Sequence, residues 1–592
     1  MLNLIGFFAA LMTTTGLGAA TDTTASDAAQ MAALDPTLPG RKACRGIDAF
    51  GAALDARLAM AAQMPLLMQA GSDTFPLYSN IAESDIGVTG LDGDARRYFD
   101  QGVALLYGFN HAAAVRSFRK ARAYAPECAM CWWGEAYANS LNINAGMSEE
   151  QNRQAIFAVQ RAQQLSEGLS EVERSLIAAQ AERFPDDLSA DRAALEKKYS
   201  AMMMAIAERF PQSNDIAVLA AESAMNTTPW DYWDADTRAA RPQIGPAIAL
   251  IERVMANNPR HPQASHLYIH LMENGPDPKM AEAAADRLVE NAPSALGHLV
   301  HMPGHIFYRI GRYTDSITAN IAAARADEEY LKVAGDDGLY RFGYYPHNVH
   351  FLLTSAQMAG DMMTVTNETE RLKLTLNEDI ARQLPWVQAI HAAPSFAMTQ
   401  YASPAAILAL TATPTDLAYV DAMRRYARAV AHARDGNDAG FDEDIAAMQA
   451  LKSDPQMALM VENGFPAPDI VDLAVHVAQG RKSHAEGQYD SAAKHYQAAQ
   501  AIEKTIPYTE PPYWYYPVAQ SLGASLYKAG RYKEAQAAFR EALFKAPNSG
   551  WALYGLSLTE AKLGNKLEAK AAKAAMAKAW IGDNSWLTMD RL

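Results

Sequence analysis

Between Tyr516 and Ser549 the chain places Leu522-Gly523, Gly530-Arg531-Tyr532, Ala535, Phe539, Ala542 and Pro547 at spacings that suit two helices packed face to face. Small residues fall where the helices touch, an aromatic ring fills the space between them, and a proline ends the unit. The same set returns after it as Leu556, Gly564 and Ala569, and before it as Gly480, Gly487-Gln488-Tyr489, Ala492 and Tyr496. It recurs near the front as Gly102, Ala114, Phe118, Ala121 and Pro126, and in the middle as Gly304, Gly311-Arg312-Tyr313 and Ala323. One such helix pair cannot bury its apolar face alone, so neighbouring units must stack into a continuous core. That requirement makes an all-α array the expected fold.

The units resemble tetratricopeptide repeats. The resemblance implies a right-handed superhelical solenoid in which the first helix of each unit lines a concave groove. Residues 93–365 read as a repeat array, 366–470 as irregular helical repeats without a firm register, and 471–592 as C-terminal repeats. Residues 21–92 read as an N-terminal extension with helices. The stretches 109–144, 266–273, 297–313, 345–351 and 510–516 are similar to an exported bacterial group of tetratricopeptide proteins. That likeness implies a solenoid and brings no reaction with it.

Eight of the fourteen histidines lie between His261 and His350. His266 and His270 form one HxxxH pair, His301 and His305 form a second one repeat later, and His347 and His350 follow as HxxH. If Pro262, Gly297 and Pro346 open three successive units, His266, His270, His298, His301, His305, His347 and His350 all fall on groove-lining positions, as do Glu273 and Asn274. Residues four apart on a helix share a face, and neighbouring first helices lie roughly 10 Å apart. Two such pairs can therefore converge on one or two ions. Imidazole suits copper, iron and zinc. His266, His270, His301, His305, His347 and His350 are the expected ligands, with copper or iron ahead of zinc. Neither HxxxH pair carries the glutamate of HExxH, which argues against a zincin mechanism. Pro303, inside a first helix, removes one backbone hydrogen bond there.

Glu273 and Glu135 are the candidate acid/base carboxylates. His298, Asn142, Asn144, Cys128 and Cys131 are candidate groove contacts. The Cys128/Cys131 pair is expected chiefly as packing or as a structural disulfide with Cys44. The aromatic runs Trp230–Trp233 and Tyr513–Tyr516 read as gap-fillers that also rim the groove, and Pro511-Pro512 as a rigid lead-in to a helix.

Leu4–Ala20 is uncharged and ends in small residues, which resembles a secretory signal over residues 1–20 and implies a periplasmic or secreted protein. No later stretch is apolar enough to span a membrane. The net charge of −15 argues against nucleic acid as the main partner, because phosphate binding needs a basic face. Walker A, GxGxxG and GxSxG motifs are absent. Three readings follow. The first is an exported metalloprotein acting by redox or hydrolytic chemistry on a small molecule in the groove. The second is a scaffold holding a peptide or envelope protein. The third is a metal store or carrier.

Overall fold

The computed structural model describes residues 75–592 apart from 235, 335–339 and 384–386. The signal-like segment, Cys44 and most of the N-terminal extension lie outside the described residues. Among those described, helices follow one another and no strand forms. The extended pairings are two isolated bridges, Asn142 with Ala145 and Trp233 with Ala240. The chain is an all-α, tetratricopeptide-like solenoid.

The glycine and aromatic positions of the sequence explain why the helices lie so close. The Phe539 ring, on the Tyr532–Lys545 helix, packs over Gly523 and Gly555 of the helices on either side. A Cβ at Gly523 would lie 2.9 Å from that ring. Phe118 does the same between Gly102, where a Cβ would sit 2.6 Å away, and Gly134. Each aromatic thus joins two repeats.

The central register matches the sequence frame. One first helix spans Pro262–Glu273 and another spans Tyr345–Ala359. The one between them breaks at Pro303 into Gly297–His301 and Pro303–Arg309. The amide of His305 turns to the Met302 carbonyl at 3.1 Å. Across 366–470 the helices are uneven, from the long Ala418–Asp435 to the short Glu378–Gln383 and Pro404–Leu410.

Two large apolar cores dominate, one built from residues 75–340 and the other from residues 308–592, with three small clusters beside them. The two large cores meet at the Pro303–Arg309 helix, where Phe307 belongs to one and Tyr308 to the other. The C-terminal repeats also fold back onto the middle of the chain. Trp551 Nε1 donates to the Gln357 carbonyl at 3.2 Å, Ile581 N to the Ala359 carbonyl at 3.0 Å, and Asn548 packs on Gly311. Gly311 and Gly360, both with φ near +80°, make the two turns that accept these contacts. The C-terminal repeats therefore pack against the turns at Gly311 and Gly360. No helix among the described residues is long and apolar enough to cross a membrane.

Replacing Gly102 with leucine drives a side chain into the Phe118 ring. Overpacking of this kind costs about 1–3 kcal/mol, more than the helix propensity it gains. The Gly102→Leu protein should unfold at a measurably lower temperature by circular dichroism, and an unchanged midpoint contradicts the packing described.

Candidate metal centre

The Pro262–Glu273 helix is buried over its whole length, so both His266 and His270 point into the interior. His298 and His301 come from the short helix before Pro303, His305 from the one after it, and His347 and His350 from the Tyr345–Ala359 helix. Six of these seven rings gather into two triads. In the first, ligand atoms of His266, His270 and His298 lie within 4.8 Å of one another; in the second, those of His301, His305 and His347 do. The triads are neighbours, with ring centres 6.1 Å apart between His270 and His305 and 6.2 Å apart between His298 and His301.

The proton positions follow from the oxygen atoms around the rings. His266 Nδ1 faces Gln263 Oε1 at 2.9 Å, and the Gln263 amide is held by its other end, which donates to Glu222 at 3.1 Å. His270 Nδ1 lies 2.6 Å from one Glu273 oxygen, and His305 Nδ1 lies 2.5 Å from the other and 3.2 Å from Glu510. His301 Nδ1 faces Asn320 Oδ1 at 2.6 Å, and the Asn320 amide donates to the Ser316 carbonyl at 2.8 Å. An oxygen acceptor at Nδ1 fixes the proton there and leaves the Nε2 lone pair to act as ligand.

The Nε2 atoms face one another. His301 Nε2 is 2.7 Å from His305 Nε2 and 3.1 Å from His347 Nε2, while His266 Nε2 is 3.2 Å from His298 Nε2. One lone pair accepts one proton, so hydrogen bonding satisfies only one of the two contacts at His301. His270 Nε2 is buried with no hydrogen-bond partner. A cation in each triad satisfies all of them.

Burial and mutual repulsion push the imidazoles of His266, His298, His301 and His347 well below their usual range, and burial alone takes His350 down to about 3. They are therefore neutral, the form that binds metal. His305 behaves differently. Burial pulls it down, but the charges and hydrogen bonds of Glu273 and Glu510 outweigh that and lift it to about 10. Burial likewise pushes Glu273 up, and the two facing imidazoles reverse the effect and bring it to about 2. Without a metal, one proton on His305 holds this corner together.

Aromatic rings enclose the cluster. Phe109 stands 4.6 Å from the His266 ring and 5.2 Å from that of His298, and Phe351 stands 4.8 Å from the His305 ring. Trp230 meets His270 edge-on at 5.2 Å. Phe109 and Trp230 both have positive φ, at 53° and 63°. Bulky residues rarely adopt that conformation, and the surrounding structure must hold them there. Both of these press on the first triad.

No family model matches the chain, and no curated protein matches it. Among solved structures, it is similar to the human IFIT1 dimer with m7Gppp-AAAA, at 12% identity over 83% of this chain and 95% of that one, with a TM-score of 0.31. Yeast Tom70 follows at 12% identity, 84% and 86% coverage and 0.27. The APC/C hetero-tetramer Cut9-Hcn1 follows at 12% identity, 82% and 96% coverage and 0.24. All three are tetratricopeptide-repeat proteins.

The remaining sequence candidates fall in different places. His350 lines the cavity beside the triads without joining either, and Asn144 lines the same cavity. His298, expected only as a groove contact, completes the first triad. Asn142 accepts from the amides of Asn144 and Ala145, both at 2.8 Å, and so shapes the turn rather than the cavity wall. Glu135 is buried between Arg119, at 2.7 Å, and Arg122, away from the cavity. The cysteine expectation is corrected. Cys128 and Cys131 are bonded to each other, with Cα atoms 5.3 Å apart, and lie in the first apolar core. Cys128 caps the Ala129–Ala138 helix, whose first turn brings position 131 back within bonding reach.

Four residues that set the geometry were not singled out from the sequence for this role: Gln263, Asn320, Phe109 and Glu510. Gln263 carried a readable signal, since it sits three residues before His266 on the same face. Glu510 arrives from some 200 residues away, and no local spacing announces it.

Removing Glu273 leaves the His305 charge buried without its main partner. Glu273→Ala should destabilise the metal-free protein by about 3–5 kcal/mol in chemical denaturation. A loss well under 1 kcal/mol would show that the carboxylate does not hold this corner.

Proposed function

We propose that this chain is a metalloprotein whose two three-histidine sites hold a pair of transition-metal ions, and that the adjoining cavity presents a small molecule to them. The observation that carries the reading is the convergence of six imidazoles, five buried and His347 half-buried, in two adjacent triads, three of them hydrogen-bonded to an oxygen at Nδ1 and His305 ion-paired there with Glu273. Such outer hydrogen bonds are what fixes metal-ligating histidines elsewhere. Nitrogen ligation without sulfur suits copper, iron and zinc, and copper binds such donors most tightly of the divalent series. Copper or iron would supply one-electron chemistry at each site, and zinc would supply a hydrolytic centre instead.

The chain's own groups have separable parts. Gln263, Asn320 and Glu273 orient ligand rings. Glu273 uses both oxygens for that purpose and so acts mainly as a positioning residue. Glu510 borders the cavity as well as His305, which makes it the better-placed carboxylate to move a proton to or from a bound molecule. Export fits this reading, because the leader-like N-terminus and the Cys128–Cys131 disulfide both suit an oxidising compartment. A peptide-binding scaffold accords with the fold. It gives no reason to gather six imidazoles in two triads.

Elemental analysis of protein purified without chelators tests the proposal. About two copper or iron ions per chain are expected. His266→Ala and His301→Ala should each remove about one of them, because three-ligand sites lose their geometry with one ligand gone. Asn320→Ala, which frees the His301 ring, should weaken binding about 10–100-fold without abolishing it. Wild-type protein that stays metal-free after incubation with each ion in turn overturns the reading.

A further inference from the structure

Beside the two triads lies a cavity of about 200 Å³, and its walls differ sharply from its floor. The floor is polar. His270, His305, His347 and Glu510 face into it, and His270 Nε2 has no hydrogen-bond partner. The walls are aromatic, with Trp230, Tyr344, Phe396, Tyr508, Tyr513 and Tyr515 contributing rings from four separate segments of the chain. Ile390 is the largest aliphatic side chain among them.

Three properties of the occupant follow. A flat ring is favoured over an aliphatic one, because ring faces and edges around it gain from offset and edge-on packing beyond the area they bury. The size is that of one ring, since a cavity of about 150 Å³ already accommodates benzene. Without metal, the site favours an occupant with no negative charge. Among the described residues no lysine or arginine borders the cavity, Glu273 and Glu510 do, and the nearby His305 and Arg309 already lie 3.2 Å and 3.6 Å from Glu510. The histidines and Glu510 offer partners to a hydroxyl on the ring. We propose that the cavity binds uncharged single-ring phenols, hydroxyl toward the histidines and ring between the aromatic walls. This deepens the metal-centre reading and rests on it for the direction in which the hydroxyl points; the choice of ring rests on the walls alone.

Isothermal titration tests the proposal with 4-methylphenol, cyclohexanol, which keeps the hydroxyl but lacks the aromatic ring, and benzoate, which keeps the ring but adds charge. Each is titrated into protein as purified and into chelator-treated protein, with metal content measured on both. In both samples 4-methylphenol should bind at least about tenfold more tightly than cyclohexanol, and in the chelator-treated sample at least about tenfold more tightly than benzoate. Ala393→Phe, which fills the cavity from its wall, should weaken 4-methylphenol binding by at least about tenfold while metal content is unchanged. If that variant fails to fold by circular dichroism, the milder Ala389→Val takes its place with the same expectation. Binding of 4-methylphenol no tighter than that of cyclohexanol in either sample, benzoate binding as tightly as 4-methylphenol in chelator-treated protein, or no saturable binding of 4-methylphenol overturns the proposal. Selective 4-methylphenol binding by a protein that takes up no metal supports the phenol site and removes the metal-centre reading alone.

Discussion

The organisation of this molecule depends on the hydrogen bonds at the Nδ1 atoms of four histidines. Each of those bonds fixes which ring nitrogen carries the proton and so decides which lone pair faces inward. Without Gln263, Glu273 and Asn320 the rings of His266, His270, His301 and His305 could rotate or change tautomer, and a cluster of imidazoles would be only a costly polar inclusion. With them, the Nε2 atoms are aimed into two small volumes. The partners are themselves held, Gln263 by Glu222 and Asn320 by the Ser316 carbonyl, so the orientation is set two bonds deep.

The solenoid supplies what those bonds need. Stacked first helices bring the same face of three successive units to one place, and helical spacing keeps each HxxxH pair on a common face. Glycine-on-aromatic contacts such as Gly102 and Gly134 on Phe118 set how closely the units approach. The C-terminal repeats pack onto Gly311 and Ala359, and Glu510 reaches His305 from the segment before them. The site therefore forms at the seam of two apolar cores, where burial keeps most of the imidazoles neutral.

Much of this was legible in the chain. The repeat spacing around Phe539 and Phe118 gave the all-α array, and Pro262, Gly297 and Pro346 gave the helix starts to within a residue. The gathering of the histidines followed from that register because periodicity converts directly into a shared face. What was not legible is long-range. The Glu510 contact depends on how far the array curves, which no single repeat encodes. His298 was underweighted because its partner His266 lies on another helix. The pairing of the three cysteines is not legible either, because their spacing does not show which two sulfurs a helix start brings together; the structure joins Cys128 to Cys131.

The central claim is that two adjacent nitrogen-ligated ions occupy the triads, and X-ray absorption at the metal edge of loaded protein tests it most directly. Predicted are nitrogen neighbours at about 2.0 Å with the multiple scattering of imidazole, and a second metal at about 3.5–4 Å. Absorption showing sulfur neighbours, or oxygen neighbours without imidazole scattering, would contradict it.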